Sequence, residues 1–151
     1  MRTKDKILVR KIRKCARVPF RATAGSAGFD VCAAVEKDVV LEKNETTKIP
    51  SGIAICLPNK NFVALLLPRS GLSIHNGITL ANGVGVIDSD FRGEIIVALR
   101  NFSNEDYTLC PGEKIAQILF FNLVDFVLEV TDEELSETQR GSDGLGSTGK
   151  I

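Results

Sequence analysis

Carboxylates set between short apolar runs are the first chemistry that this 151-residue chain offers. Asp88 and Asp90 sit in Gly85-Val-Ile-Asp-Ser-Asp-Phe-Arg-Gly-Glu94, and Asp30 sits in Ala27-Gly-Phe-Asp-Val31. Both segments read as turns between strands. A carboxylate held there can orient and deprotonate a water or touch the hydration shell of a magnesium ion, although aspartate is also an ordinary turn former. Pro68-Arg-Ser-Gly-Leu72 ends a strongly apolar run and opens the best helical candidate, Ser70 to about Asn76. An arginine fork, a hydroxyl and free backbone N–H groups meet there, which favours phosphate. His75 is the one histidine, so a Cys–His or Ser–His nucleophile is hard to assemble and water is the better attacking group.

The C-terminal stretch carries a second anion signal. Gly144-Leu-Gly-Ser-Thr-Gly149-Lys150 satisfies much of the phosphate-loop pattern, but Ile151 stands where a Ser or Thr should bind magnesium and no helix follows. A true phosphate loop is excluded. The local physics survives: glycines let successive N–H groups converge on an anion, and an arm with Arg140 at its base can close over a polyphosphate. Cys15, Cys32, Cys56 and Cys110 form no C-x-x-C pair. They are a poor zinc set and read as reduced, mostly buried thiols.

These residues need a scaffold, and the pattern is of many short β-branched runs between turns. The runs are Thr46–Lys48, Ile53–Leu57, Phe62–Leu67, Glu94–Arg100, Ile115–Phe121 and Phe126–Val130. This predicts an all-β sandwich or barrel with one short helix, and it removes the doubly wound nucleotide folds, which alternate helices with strands. The first 21 positions hold nine of the nineteen basic residues against the single acid Asp5, and Ile7, Val9 and Ile12 among them suggest a first strand with a charged outer face. Asp132, Glu133, Glu134 and Glu137 make an acidic hinge before the glycine-rich end. The organisation is one β domain over 1–131, with 132–151 as hinge and flexible C-terminal arm of the same functional unit.

Nineteen Lys plus Arg balance nineteen Asp plus Glu, with 44% hydrophobic residues, which is ordinary globular composition. No global field recruits nucleic acid, so no stable nucleic-acid partner is expected. The longest apolar run, Phe62–Leu67, is far short of the roughly 20 residues of a membrane helix, and the N-terminus has no apolar h-region. The expectation is a cytoplasmic protein with no membrane partner.

Taken together in order, the motifs resemble those of the trimeric dUTP diphosphatase (dUTPase) family. The first matches Ala27-Gly-Phe-Asp-Val31, the second Pro68-Arg-Ser-Gly-Leu72, and the third Asn82-Gly-Val-Gly-Val-Ile-Asp-Ser-Asp-Phe-Arg-Gly-Glu94. The fourth matches Gly112-Glu-Lys-Ile-Ala-Gln117 and the fifth runs from Arg140 to Gly149. The resemblance implies a distorted β jelly roll and a homotrimer. Three active sites would lie at its subunit interfaces, each closed by a C-terminal arm from another subunit. It implies hydrolysis of dUTP to dUMP and pyrophosphate with Mg2+, which keeps uracil out of DNA and supplies dUMP for thymidylate synthesis. Asp88 would activate the water, and Asp30 would touch the magnesium through water. Arg69, Ser70, Gly71 and Gln117 would bind phosphates, joined by Arg140, Gly146, Ser147 and Thr148 as the arm closes. Asn82, Val86, Ile87 and Ile96 would line the uracil hairpin.

Two positions depart from the family pattern. Phe91 stands where the family has a tyrosine against the deoxyribose; the ring is kept, so exclusion of a ribose 2′-hydroxyl survives. Leu145 stands where the arm carries a phenylalanine that stacks on uracil, and this weakens arm closure. The related dCTP deaminases share the fold, but Asp88 and the glycine-rich fifth motif argue for the diphosphatase. A non-enzymatic reading, a binding protein that uses the nucleotide-gated arm as a switch or a nucleic-acid binder through the basic N-terminus, stays open on the residues alone.

Overall fold

Runs of three to six apolar residues cannot bury themselves alone, so strands of this length must stack into layers around a shared core. The computed structural model describes residues 6–142. Its strands are β1 (Leu8–Lys11), β2 (Phe29–Cys32), β3 (Val39–Leu41), β4 (Thr46–Pro50), β5 (Ile53–Cys56) and β6 (Phe62–Leu67), then, after the helix α1 (Ser70–Asn76), β7 (Ile78–Leu80), β8 (Gly85–Ile87), β9 (Ile96–Asn101), β10 (Tyr107–Leu109) and β11 (Lys114–Asn122). The fold is all-β and of jelly-roll type. One sheet runs β2-β11-β6-β8, a second β4-β9-β7, and the pairs β1-β5 and β10-β3 extend the layers. Every pairing is antiparallel.

Side chains from both larger sheets enter one hydrophobic cluster, with Val31, Ala64, Leu66 and Ile118 from the first and Ile49, Ile78, Val97 and Leu99 from the second. Burial of each Val, Leu or Ile side chain among them contributes on the order of 1.5 to 3 kcal/mol. Buried polar groups are matched. Asn101, fully buried, donates to Leu41 O at 2.9 Å and Glu105 O at 2.8 Å and accepts from the Ser103 N–H at 2.9 Å, so the β9 end is tied to both neighbouring loops. The helix stops at Gly77, whose left-handed φ of 67° few other residues tolerate, with its N–H returned to Ser73 O at 3.0 Å.

Several expectations need correction. Asp30 lies within β2, paired opposite Gln117, and not in a turn. Phe126–Val130 forms no strand; Val127, Leu128 and Val130 are 93 to 96% exposed. Its apolar, β-branched composition reads as a strand, but among the described residues none of the sheets pairs with it. Among the four free cysteines only Cys32 is buried, while Cys110 is exposed. No helix among the described residues is long and apolar enough to cross a membrane.

Candidate active site

The cleft beside β8 is built by a strand pairing and the turns on either side of β8. β6 pairs with β8 in the register Ala64↔Ile87, Leu65↔Val86 and Leu66↔Gly85. Before β8 the chain turns tightly, with the Gly83 N–H donating to Leu80 O at 3.1 Å and the Val84 N–H to Asn82 O at 2.7 Å. After it, Asp88 to Arg92 brace themselves: the Phe91 N–H donates to Asp88 O at 3.2 Å, and Arg92 Nη1 donates to Ser89 O at 2.7 Å. A cleft of about 360 Å³ results, lined by Asn82, Val86, Ile87, Asp88, Phe91 and Ile96 with Leu66, Gly85, Glu94, Ile95 and Ala98. Every residue expected to meet base, sugar or attacking water from the third motif therefore shares one wall. Val86, Phe91 and Ile96 are exposed, so an apolar surface waits here for a flat ligand. Asp88 is exposed, and no other described residue holds its carboxylate.

The charged cluster forms where β2, β11 and the end of β6 meet. Gln117 stands opposite both Asp30 and Leu67. A register shift between Lys114 and Ala116 re-aims Lys114, whose Nζ sits 2.7 Å from Asp30 Oδ2, while Arg69 Nε sits 3.3 Å from Oδ1. Arg69 also donates to Lys114 O at 2.9 Å, and Gln117 Nε2 donates to Pro68 O at 3.0 Å. At Gly28 a Cβ would come within 2.7 Å of Gln117 Oε1 and 2.8 Å of Leu119 Cδ1, so a larger residue there would displace those side-chain ends. Ser70 and Gly71 are exposed in the first turn of α1, whose cap residue Arg69 makes no side-chain cap bond, so the turn keeps free amide donors.

These two groups of residues do not meet within the chain. Asp88 follows Ile87 and so lies level with Val63, at the start of β6, whereas Arg69 lies beyond its end. At about 3.3 Å per residue the two are roughly 20 Å apart along the sheet. Of the fifth-motif residues, Arg140 is described, exposed in a turn that the Gly141 N–H closes on Thr138 O at 3.1 Å. Leu145, Gly146, Ser147 and Thr148 lie outside the described residues.

Sequence reasoning passed over three supports. Lys114 lay in the fourth motif, and its basic charge beside a phosphate-binding pattern was the available signal. Glu113 accepts the Tyr107 hydroxyl and the Cys110 N–H, fixing the turn that leads into Lys114. Burial first, and then the Glu113 carboxylate, push the Tyr107 phenol up to about 12. Glu94 closes the cleft, and its carboxyl is held below the usual range chiefly by the hydrogen bond from Arg13. No local pattern pairs residues 81 positions apart.

A family model for dUTPase matches residues 14–149. A deoxyuridine 5′-triphosphate nucleotidohydrolase of Psychromonas ingrahamii is 43% identical over 145 residues, 96% of this chain and 95% of its own. One of the same name from Neisseria meningitidis serogroup B is 47% identical over 132 residues, 87% of each chain. Among solved structures, the dUTPase of Staphylococcus bacteriophage 80alpha with dUPNHPP is similar, at a TM-score of 0.82 and 26% identity over 97% of this chain and 99% of that one. With the motifs, the all-β fold and near full-length identity in agreement, the chain belongs to the dUTPase family.

Proposed function

We propose that the chain hydrolyses dUTP to dUMP and pyrophosphate, with Asp88 as general base, at sites assembled between the subunits of a homotrimer. The observation that carries this reading is the separation of the two half-sites along β6. Among the described residues the nucleoside cleft is lined by two carboxylates, Asp88 and Glu94, and by no cation to match a triphosphate, while the cations Arg69 and Lys114 stand outside it. A cleft from one subunit facing a cluster from another completes both. The exposed apolar run from Leu123 to Val130 favours the same assembly, because such a stretch is costly in water and a second copy covers it.

In this reading Asn82, Val86, Ile87 and Ile96 hold uracil, and the Phe91 ring packs on the deoxyribose. Asp88 takes a proton from the water as its oxygen bonds to the α-phosphorus. The bond to the bridging oxygen breaks, and pyrophosphate leaves with the electron pair. A positioned carboxylate contributes about 10² to 10⁴ to such a step. Arg69, Ser70, Gly71 and Gln117 bind the phosphates, and Lys114 stands ready beside them. Residues 132–151 serve as the arm, bringing Arg140, Gly146, Ser147 and Thr148 to a neighbour's site. Magnesium, when bound with the substrate, would supply charge neutralisation, and Asp30, already flanked by Lys114 and Arg69, would suit contact through a water better than direct ligation.

Pyrophosphate release from dUTP, dTTP, dCTP and UTP, in magnesium and in excess chelator, tests the reading. Turnover confined to dUTP, dependent on magnesium and abolished by Asp88→Asn, is expected. Ammonia release from dCTP, or binding of dUTP without turnover, would contradict it.

A further inference from the structure

Arg13 belongs to the basic N-terminal stretch, whose charges the reaction does not otherwise use. Its guanidinium grips Glu94 with two bonds, Nε to Oε1 at 2.6 Å and Nη2 to Oε2 at 3.0 Å. Glu94 Oε1 also accepts the Gly52 N–H at 3.0 Å, and Gly52 O accepts the N–H groups of Ile12 at 2.7 Å and Arg13 at 3.3 Å. Ser51 Oγ donates to Ile95 O at 2.6 Å, and the Ile95 N–H donates to Ile53 O at 2.9 Å. Three distant segments are thus tied together where the chain leaves the turn that carries Phe91. The Phe91 ring rests on the backbone of Gly93, where a Cβ would come within 2.7 Å of the ring.

We propose that Arg13 is a positioning residue for the nucleoside cleft, acting through Glu94 to fix the backbone under Phe91 and so the room left for sugar and base. The inference deepens the dUTP reading and rests on it. A wall that touches the nucleoside equally in ground and transition states supplies uniform binding, so loosening it raises KM and leaves kcat unchanged. A brace that served stability alone would behave otherwise, because loss of folded enzyme lowers apparent kcat and leaves KM unchanged. Lysine keeps the charge but cannot form the two-pronged contact.

The test compares Arg13→Gln, Arg13→Lys, Glu94→Gln and the Arg13→Gln/Glu94→Gln double variant with the unaltered protein on dUTP and UTP, with folded fractions measured by circular dichroism. Arg13→Gln is expected to raise the KM for dUTP about two- to fivefold, the range a partly exposed ion pair supports, with kcat within about twofold, and to erode the preference for dUTP over UTP by a similar factor. Arg13→Lys should fall between, and the double variant should be no worse than the worse single one. An unchanged KM in Arg13→Gln overturns the inference, whether kcat holds or falls; should that variant not fold, Arg13→Lys is judged by the same criterion. Absence of dUTP turnover in the unaltered protein would instead sink the dUTP reading, and the inference with it.

Discussion

In the cleft beside β8 the walls are apolar and Asp88 stands unpaired, whereas at the far end of β6 the charges are already matched, with Asp30 between Lys114 and Arg69. The cleft is shaped by backbone turns and by a brace 81 residues away, and needs no ligand to hold it open. In the proposed dUTP reading, the charged cluster keeps its cations in place by lending them a carboxylate that a phosphate chain would replace. On that reading shape is ready in one half and charge in the other, and a ligand with both a flat base and a phosphate chain would use the whole.

Breaking the cleft's chemistry should give the largest effect. Asp88→Asn is expected to lower kcat by about 10² to 10⁴ while dUTP affinity is retained; a matching loss of affinity would show that Asp88 belongs to binding instead. The opposite half should respond differently. Arg69→Gln removes a charged donor worth about 1.5 to 3 kcal/mol, so dUTP affinity should fall about 10- to 100-fold, with dUMP affected less and the salt dependence flattened. Equal losses for dUTP and dUMP, measured by calorimetry, would erase the distinction between the halves.

A smaller gain is expected from Leu145→Phe. A restored base stack of about 1 to 3 kcal/mol should lower KM or raise turnover, and no improvement in either would refute the role given to position 145.

The smallest effects are in stability, and they separate the halves by pH. Tyr107 supports the turn before Lys114, and its phenol titrates near 12 in the folded chain against an ordinary 10. The proton is held more tightly when folded, so this contribution is full below pH 10 and is lost as pH rises from 10 to 12. After discounting for partial exposure it amounts to about 1 to 2 kcal/mol. Glu94, which braces the cleft, is shifted the other way. Its contribution is present above its ordinary 4.5 and is lost as pH falls below that value. Unfolding curves should therefore show Tyr107→Phe flattening only the alkaline limb and Glu94→Gln only the acid limb.

Much of this was legible in the residues. The run Phe62–Leu67, the helix from Ser70 and the β9 and β11 cores follow from apolar runs bounded by turn residues. The three-residue strands β3, β7, β8 and β10 were not, because pieces so short are strands only through their partners. Asp30 was read as a turn residue for a related reason: a charged residue inside a strand makes sense only once Lys114 and Arg69 stand beside it. Phe126–Val130 failed the other way: its apolar, β-branched composition reads as a strand, yet none of the described sheets pairs with it and it lies exposed. Most of the cleft residues were legible because they fall in one short stretch, from Asn82 to Ile96. The Arg13 brace was not, because nothing local links position 13 to position 94.

The claim that the halves come from different subunits is tested most directly by mixing two disabled chains. Asp88→Asn and Arg69→Gln proteins would be unfolded together, refolded, and assayed for pyrophosphate release from dUTP. Sites shared between subunits predict recovery, because random trimers would carry about one quarter of their sites with both halves intact. Mixed oligomers no more active than either variant alone would place both halves of each site in a single chain and contradict the account.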